Sequence, residues 1–169
     1  GYYQQTLGAG TPVVRAMPNT PAAIGHGITA LIGNDCATPA HLSLAEALLS
    51  AVGQTVRLAD ESQMDAVTAV SGSGPAYVFY LIETLAAAGQ AQGLPESLAL
   101  RLATATVAGA GRLAEASATP PARLRADVTS PGGTTEAALG ILTDAQDGLA
   151  PLMRRAVRAA ADRSGELRQ

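Results

Sequence analysis

From Ser62 onward the chain places its apolar residues at helical spacing, and prolines or hydroxyl residues mark where most such runs begin. The spacing predicts helices over Ser62–Val70, Pro75–Gly89, Pro95–Ala116, Pro120–Ala126, Thr134–Ala145 and Ala150–Leu167. Six helices in roughly a hundred residues make an all-α domain. These helices are rich in small residues. Ala103 to Gly111 reads ATATVAGAG, where Gly109 and Gly111 each cost about 1 kcal/mol of helix propensity relative to alanine. Glycines kept at that cost imply close helix–helix contact, with a second copy of the chain as one partner. The Leu81, Leu85 and Ala88 stripe reads as ordinary core.

The residues before Ser62 follow a different pattern. Val13 to Met17 is a β-branched, apolar run stopped by Pro18, which reads as a buried strand entering the stiff loop Pro18 to Ala23. Gly27 to Gly33 reads as a second strand. Thr38 then caps a helix that runs to Val52, with Gly53 as its stop, and Thr55 to Leu58 reads as a third strand. A β-β-α-β piece of this size cannot bury both faces of a sheet. It either completes a sheet supplied elsewhere or stands as a marginal unit.

Leu124 to Leu139, LRADVTSPGGTTEAAL, reads as a helix end, a Ser130-Pro131-Gly132-Gly133 turn and a new helix at Thr134-Thr135. Pro131 disfavours helix at Ser130, and the glycines accept backbone angles closed to residues with a Cβ. Such a turn exposes backbone N–H groups beside a helix N-terminus. With the hydroxyls of Ser130, Thr134 and Thr135 it forms a neutral receptor for a carboxylate. The alternative is a plain corner in which Thr134 is an N-cap and Glu136 sits in the first turn.

Composition narrows the chemistry. All eleven basic residues are arginine, which removes a lysine Schiff base and a lysine-bearing phosphate loop from this chain. Cys36 is alone, and His26 and His41 have no partner at metal-ligand spacing, so no metal site is expected. A net charge of -3 and 3% aromatic residues argue against a nucleic-acid partner. The weakly charged run from Ala66 to Ile82 is broken by Ser71-Gly72-Ser73-Gly74-Pro75, so no membrane span is expected. With a lone cysteine, a cytoplasmic location is the expectation. Opening on Gly1 without a methionine points to a piece of something longer.

The Ser71-Gly72-Ser73-Gly74-Pro75-Ala76-Tyr77 stretch is not a dinucleotide fingerprint. Tyr77 stands at the third glycine position, the preceding residues read as helix, and no strand end with a ribose-binding acid follows. It reads instead as a Gly-rich hinge into a proline-capped helix. No nucleophile triad is visible, and Asp60 and Glu61 fall in a solvated turn. What remains is a site of hydroxyls and amides, suited to a reaction whose chemistry a bound cofactor carries.

Three stretches together resemble the pyrroline-5-carboxylate reductase family: Arg15-Ala16-Met17-Pro18-Asn19-Thr20-Pro21, then Asp65 to Tyr77, then Asp127-Val128-Thr129-Ser130-Pro131-Gly132-Gly133-Thr134-Thr135. The resemblance implies a mainly α chain. An all-helical dimerisation domain over 62–169, similar to the C-terminal domain of 6-phosphogluconate dehydrogenase, would follow the tail of an α/β Rossmann domain over 1–61. The first Rossmann strands and their glycine loop are missing from the pattern. The implied reaction is hydride transfer from NADPH or NADH to 1-pyrroline-5-carboxylate, giving L-proline. By the same resemblance, Val128, Ser130, Gly132, Gly133, Thr134 and Thr135 bind substrate, with the Thr135 hydroxyl near the ring nitrogen. Met17, Pro18 and Asn19 wall the nicotinamide, and Asp127 reaches the cofactor of a partner subunit. The implied assembly is a homodimer, extending to a ring of dimers. The competing reading is a catalytically silent oligomerisation module.

Overall fold

The computed structural model describes residues 6–167. It divides into two compact units. The first holds the residues up to Pro75 together with those from Val157, and the second is Ala76–Ala156.

In the first unit, strands β1 (Val14–Met17), β2 (Gly27–Gly33) and β3 (Gly53–Arg57) form one sheet in the order β1-β2-β3. β1 pairs antiparallel with β2, from Val14 opposite Gly33 to Met17 opposite Ala30. β3 pairs parallel with β2, with Gly27 opposite Gly53 and Leu31 opposite Arg57. A parallel pair needs a crossover, and helix α1 (Pro39–Leu49) with a 3-10 turn at Ser50–Val52 supplies it. The helix starts where Thr38 and Pro39 predict. His41, which has no metal-ligand partner in the sequence, accepts the Thr38 N–H on Nδ1 at 3.0 Å and closes a capping box. Arg57 at the end of β3 grips Glu46 of α1 through two bonds, Nε to Oε1 at 2.7 Å and Nη2 to Oε2 at 2.6 Å. That guanidinium holds the Glu46 carboxyl below its usual value.

Thr29, Ala30 and Leu31 of the central strand are buried, with Met64 and Ala69 completing the core of this unit. One sheet face is incompletely covered, as expected for so small a piece. Ile28 and Val56 remain 37% and 43% exposed, beside a cavity of about 430 Å³ lined also by Leu58, Val67, Val70 and Ser71. Beyond β3, the Asp60 carboxylate accepts the Ser62 N–H at 2.7 Å and caps a 3-10 turn at Glu61–Gln63. Glu61 ion-pairs with Arg15 of β1, so this pair of acids is structural.

Helix α2 (Met64–Val67) runs into a π-turn at Thr68–Gly72 and then into α3 (Gly74–Ala91). The expected Gly-rich hinge is wound as a π-turn through Gly72, closed by the Ser73 N–H donating to the Thr68 carbonyl at 2.8 Å, with a bend at Ser73 before α3 starts on Gly74 and Pro75. The Ser164 hydroxyl of the last helix, α7 (Leu149–Glu166), donates to Asp65 Oδ1 at 2.9 Å and anchors that helix to the unit.

The second unit contains most of α3, then α4 (Glu96–Ala116), α5 (Pro121–Asp127), α6 (Thr134–Leu142) and the start of α7. Helix α6 stops three residues short of the expected Ala145. Asp144 Oδ1 accepts the amides of Gln146 and Asp147, each at 2.8 Å, and this local turn competes with a further helical turn. Those bonds, Asp147 first, hold the Asp144 carboxyl below its ordinary range.

The buried side chains of this unit are alanines. Ala86 of α3 meets Ala99 and Ala103 of α4, with Ile82 packed beside them. The inward face of α3 is therefore Ile82 and Ala86. The Leu81 and Leu85 stripe, expected as core, is 47% and 43% exposed. A Cβ added at Gly109 or Gly111 would meet nothing within 4 Å, so no packing among the described residues requires those glycines. Phe79, Tyr80, Leu113 and Ile141 are also more than half exposed. Among the described residues no helix is long and apolar enough to cross a membrane.

Candidate functional site

The expected site residues fall in two clusters, one in each unit. In the first unit, β1 delivers Met17, Pro18 and Asn19 to its C-terminal end. Asn19 is half-buried and its carboxamide is committed. Its Oδ1 accepts the Ile28 N–H at 3.0 Å, and its Nδ2 donates to the Ser71 hydroxyl at 3.3 Å. Met17 lies against the π-turn so closely that a Cβ on Gly72 would stand 2.6 Å from Met17 Cε. Pro18 is exposed. The result is a small uncharged wall, backed by Asn19.

The second cluster is the corner between α5 and α6. Helix α5 ends at Asp127, where the Arg123 guanidinium pairs with the Asp127 carboxylate, Nε to Oδ1 at 2.8 Å, one helical turn apart. The Thr129 hydroxyl donates to the Arg125 carbonyl at 2.7 Å and closes the helix end. Ser130 to Gly133 then make a turn in which the Gly133 N–H donates to the Ser130 carbonyl at 3.0 Å. Pro131 stands at the second position and Gly132, with φ +70°, at the third. A type II turn needs a positive φ at that third position, which is why glycine stands there.

Helix α6 begins on this turn. Its N-cap is Gly133, and Thr134 is the first helical residue, so the N-cap role weighed for Thr134 is not the one it takes. The first bond of the α6 ladder is Ala137 N–H to the Gly133 carbonyl at 3.2 Å. The amides of Thr134, Thr135 and Glu136 precede it and need partners from outside the helix. Among the described residues the hydroxyls of Ser130, Thr134 and Thr135 make no side-chain hydrogen bond. The Gly133 amide is turned inward to Ser130. The Gly132 amide donates to Glu136 Oε2 at 2.7 Å. Glu136 thus holds the turn, one residue out of register with an ordinary capping box, a role that glutamate at the third helical position could have signalled.

Chemically, the corner offers three open hydroxyls and the leading amides of a helix, with the positive end of the helix dipole behind them. Hydrogen-bond donors grouped at a helix N-terminus in this way favour an anion. No group of three or more His, Cys, Asp or Glu side chains is placed to hold a metal among the described residues.

Comparison with known proteins identifies the family. The family model for pyrroline-5-carboxylate reductase dimerisation matches residues 61–167. A pyrroline-5-carboxylate reductase of Pseudomonas aeruginosa is 48% identical over 161 residues, covering 95% of this chain and 58% of that protein. One from Synechocystis is 48% identical over 155 residues, covering 92% of this chain and 57% of its own length. The chain thus spans a little under three-fifths of these relatives. Among solved structures, a pyrroline-5-carboxylate reductase from Coxiella burnetii superposes with a TM-score of 0.92 at 40% identity, over 97% of this chain and 60% of that one. Plasmodium falciparum pyrroline carboxylate reductase, with NADP bound, superposes with a TM-score of 0.84 at 30% identity, over 95% of this chain and 60% of that one. A mainly helical chain with a small three-stranded sheet, matched along nearly its whole length at close to half identity, belongs to the pyrroline-5-carboxylate reductase family.

Proposed function

We propose that this chain provides the substrate half of an NAD(P)H-dependent reductase that converts 1-pyrroline-5-carboxylate to L-proline, the last step of proline biosynthesis. The observation that carries the reading is the α5–α6 corner. It offers uncommitted hydroxyls at Ser130, Thr134 and Thr135 and open amides ahead of Ala137 within a region that the family model matches.

On this reading Val128, Ser130, Gly132, Gly133 and Thr134 line the carboxylate receptor, with the amides of Thr134 and Thr135 as its leading donors. The Thr135 hydroxyl faces the ring nitrogen, which gains a proton while the C=N carbon gains the hydride. Hydride transfer needs the reacting atoms held at about 3–3.5 Å, and a clamped carboxylate fixes the ring for that. A bound reduced nicotinamide supplies the hydride. Met17 and Pro18, with Asn19 behind them, would wall its ring, and Asp127, oriented by Arg123, would contact the cofactor held by a partner subunit. Residues 1–61 then read as part of a dinucleotide-binding domain and 62–169 as the dimerisation and substrate domain of a cytoplasmic homodimer, with a ring of dimers as the larger assembly. The apolar side chains that α3 and α4 leave exposed support pairing with a second copy.

The test uses the full-length protein with NADPH and 1-pyrroline-5-carboxylate. The expected result is loss of reduced-nicotinamide absorbance that depends on both substrates, with proline as product. Turnover of other cyclic imines at equal efficiency, with none of this one, would overturn the substrate assignment.

A further inference from the structure

The Ser71-Gly72-Ser73-Gly74 stretch lies outside the carboxylate corner, and its geometry gives it a different task. A π-turn is rare in helices and recurs where a helix is adapted to a site. Here it brings Ser71 and Gly72 against the end of β1. The Ser71 hydroxyl accepts from Asn19 Nδ2, while Asn19 Oδ1 takes the Ile28 N–H. Gly72, lacking a Cβ, leaves room for the tip of Met17. The Met17-Pro18-Asn19 wall is therefore fixed from both ends by residues more than fifty positions away in sequence.

We infer that Ser71 is a positioning residue for the nicotinamide wall, acting through Asn19, and that Gly72 sets the depth of that wall through Met17. This rests on the reductase reading above. Ser71 needs no contact with the cofactor: without its oxygen, Asn19 loses the acceptor that orients its carboxamide, and the β1 end loosens. The same loss frees the Ile28 amide, which gives a readout independent of turnover.

The experiment compares full-length wild-type, Ser71→Ala, Ser71→Thr and Gly72→Ala proteins. Three quantities are read: NADPH affinity by fluorescence titration, hydrogen exchange at the Ile28 amide in cofactor-free protein, and the KM for 1-pyrroline-5-carboxylate. Loss of one neutral hydrogen bond is worth about a fivefold change. Ser71→Ala is expected to weaken NADPH binding about fivefold and to speed Ile28 exchange by a similar factor, with the imine KM unmoved. Ser71→Thr, which keeps the hydroxyl, should restore both. Gly72→Ala should weaken NADPH binding while leaving Ile28 exchange slow. Unchanged affinity and exchange in Ser71→Ala would overturn the inference. So would equal losses in Ser71→Thr together with a lowered melting temperature, which mark a purely structural role. Wild-type protein that binds no NADPH would sink the reductase reading instead, and Ile28 exchange would still report whether Ser71 orients Asn19.

Discussion

Thr135→Ala in the full-length protein is expected to lower kcat/KM for 1-pyrroline-5-carboxylate by about 100-fold, within the range for losing a positioned proton-transfer or charge-stabilising group. Thr135 is the second residue of α6, half-buried, and its amide precedes the helix ladder. The methyl left by the substitution fits the same space, and alanine has the higher helix propensity, so the melting temperature should not fall. What disappears is the hydroxyl proposed to face the ring nitrogen. Steady-state kinetics check this, with NADPH affinity as control: it should stay at the wild-type value. Thr135→Ser should keep most of the activity. Full activity in the alanine variant would remove the hydroxyl from the mechanism and leave Thr135 as a mere helix-start residue.

Gly53→Ala is the second large expected effect, and it acts on folding. Gly53 opens β3 with φ +145°, a backbone angle that residues with a Cβ rarely adopt. Its partner across the parallel ladder is Gly27, and an added Cβ would overlap the Gly27 carbonyl. That carbonyl is backbone and the position of a Cβ is fixed by its own backbone, so no rotamer change relieves the overlap. β3 would have to leave β2, taking with it the Arg57–Glu46 link to α1. Overpacking with rigid neighbours and backbone strain together cost upwards of about 3 kcal/mol, a large share of the stability of an ordinary domain. The variant should be recovered poorly, or unfold at markedly lower denaturant. Gly109→Ala makes the matching control. Its Cβ meets nothing within 4 Å inside the chain, so it should be neutral or stabilising in the isolated chain.

Much of the helical part was legible because its boundaries carry local chemistry. Pro95, Pro120 and the Gly132-Gly133 pair mark helix limits that sequence can read within a residue or two, and β2 spans Gly27–Gly33 as its pattern predicts. Failures came where a contact distant in sequence sets the local conformation. Ser71 to Gly74 reads as a break because glycines and a proline cluster there. Its helical winding accompanies Met17 packed against Gly72, a contact no local rule contains. The Leu81 and Leu85 stripe was placed in the core because leucine normally is. In α3 the close approach of α4 selects alanine for the buried face and leaves the leucines outside. At the corner, sequence located the turn and its hydroxyls. The division of labour among the amides, with Gly132 given to Glu136 and Gly133 to Ser130, needed coordinates.

The alanine contact between α3 and α4 has a thermodynamic consequence. Three small side chains offset little of the conformational entropy of the helices in this unit, so on the proposed pairing folding and association become a single event. The melting temperature of such a protein climbs with its concentration, and dilution alone acts on it as a denaturant.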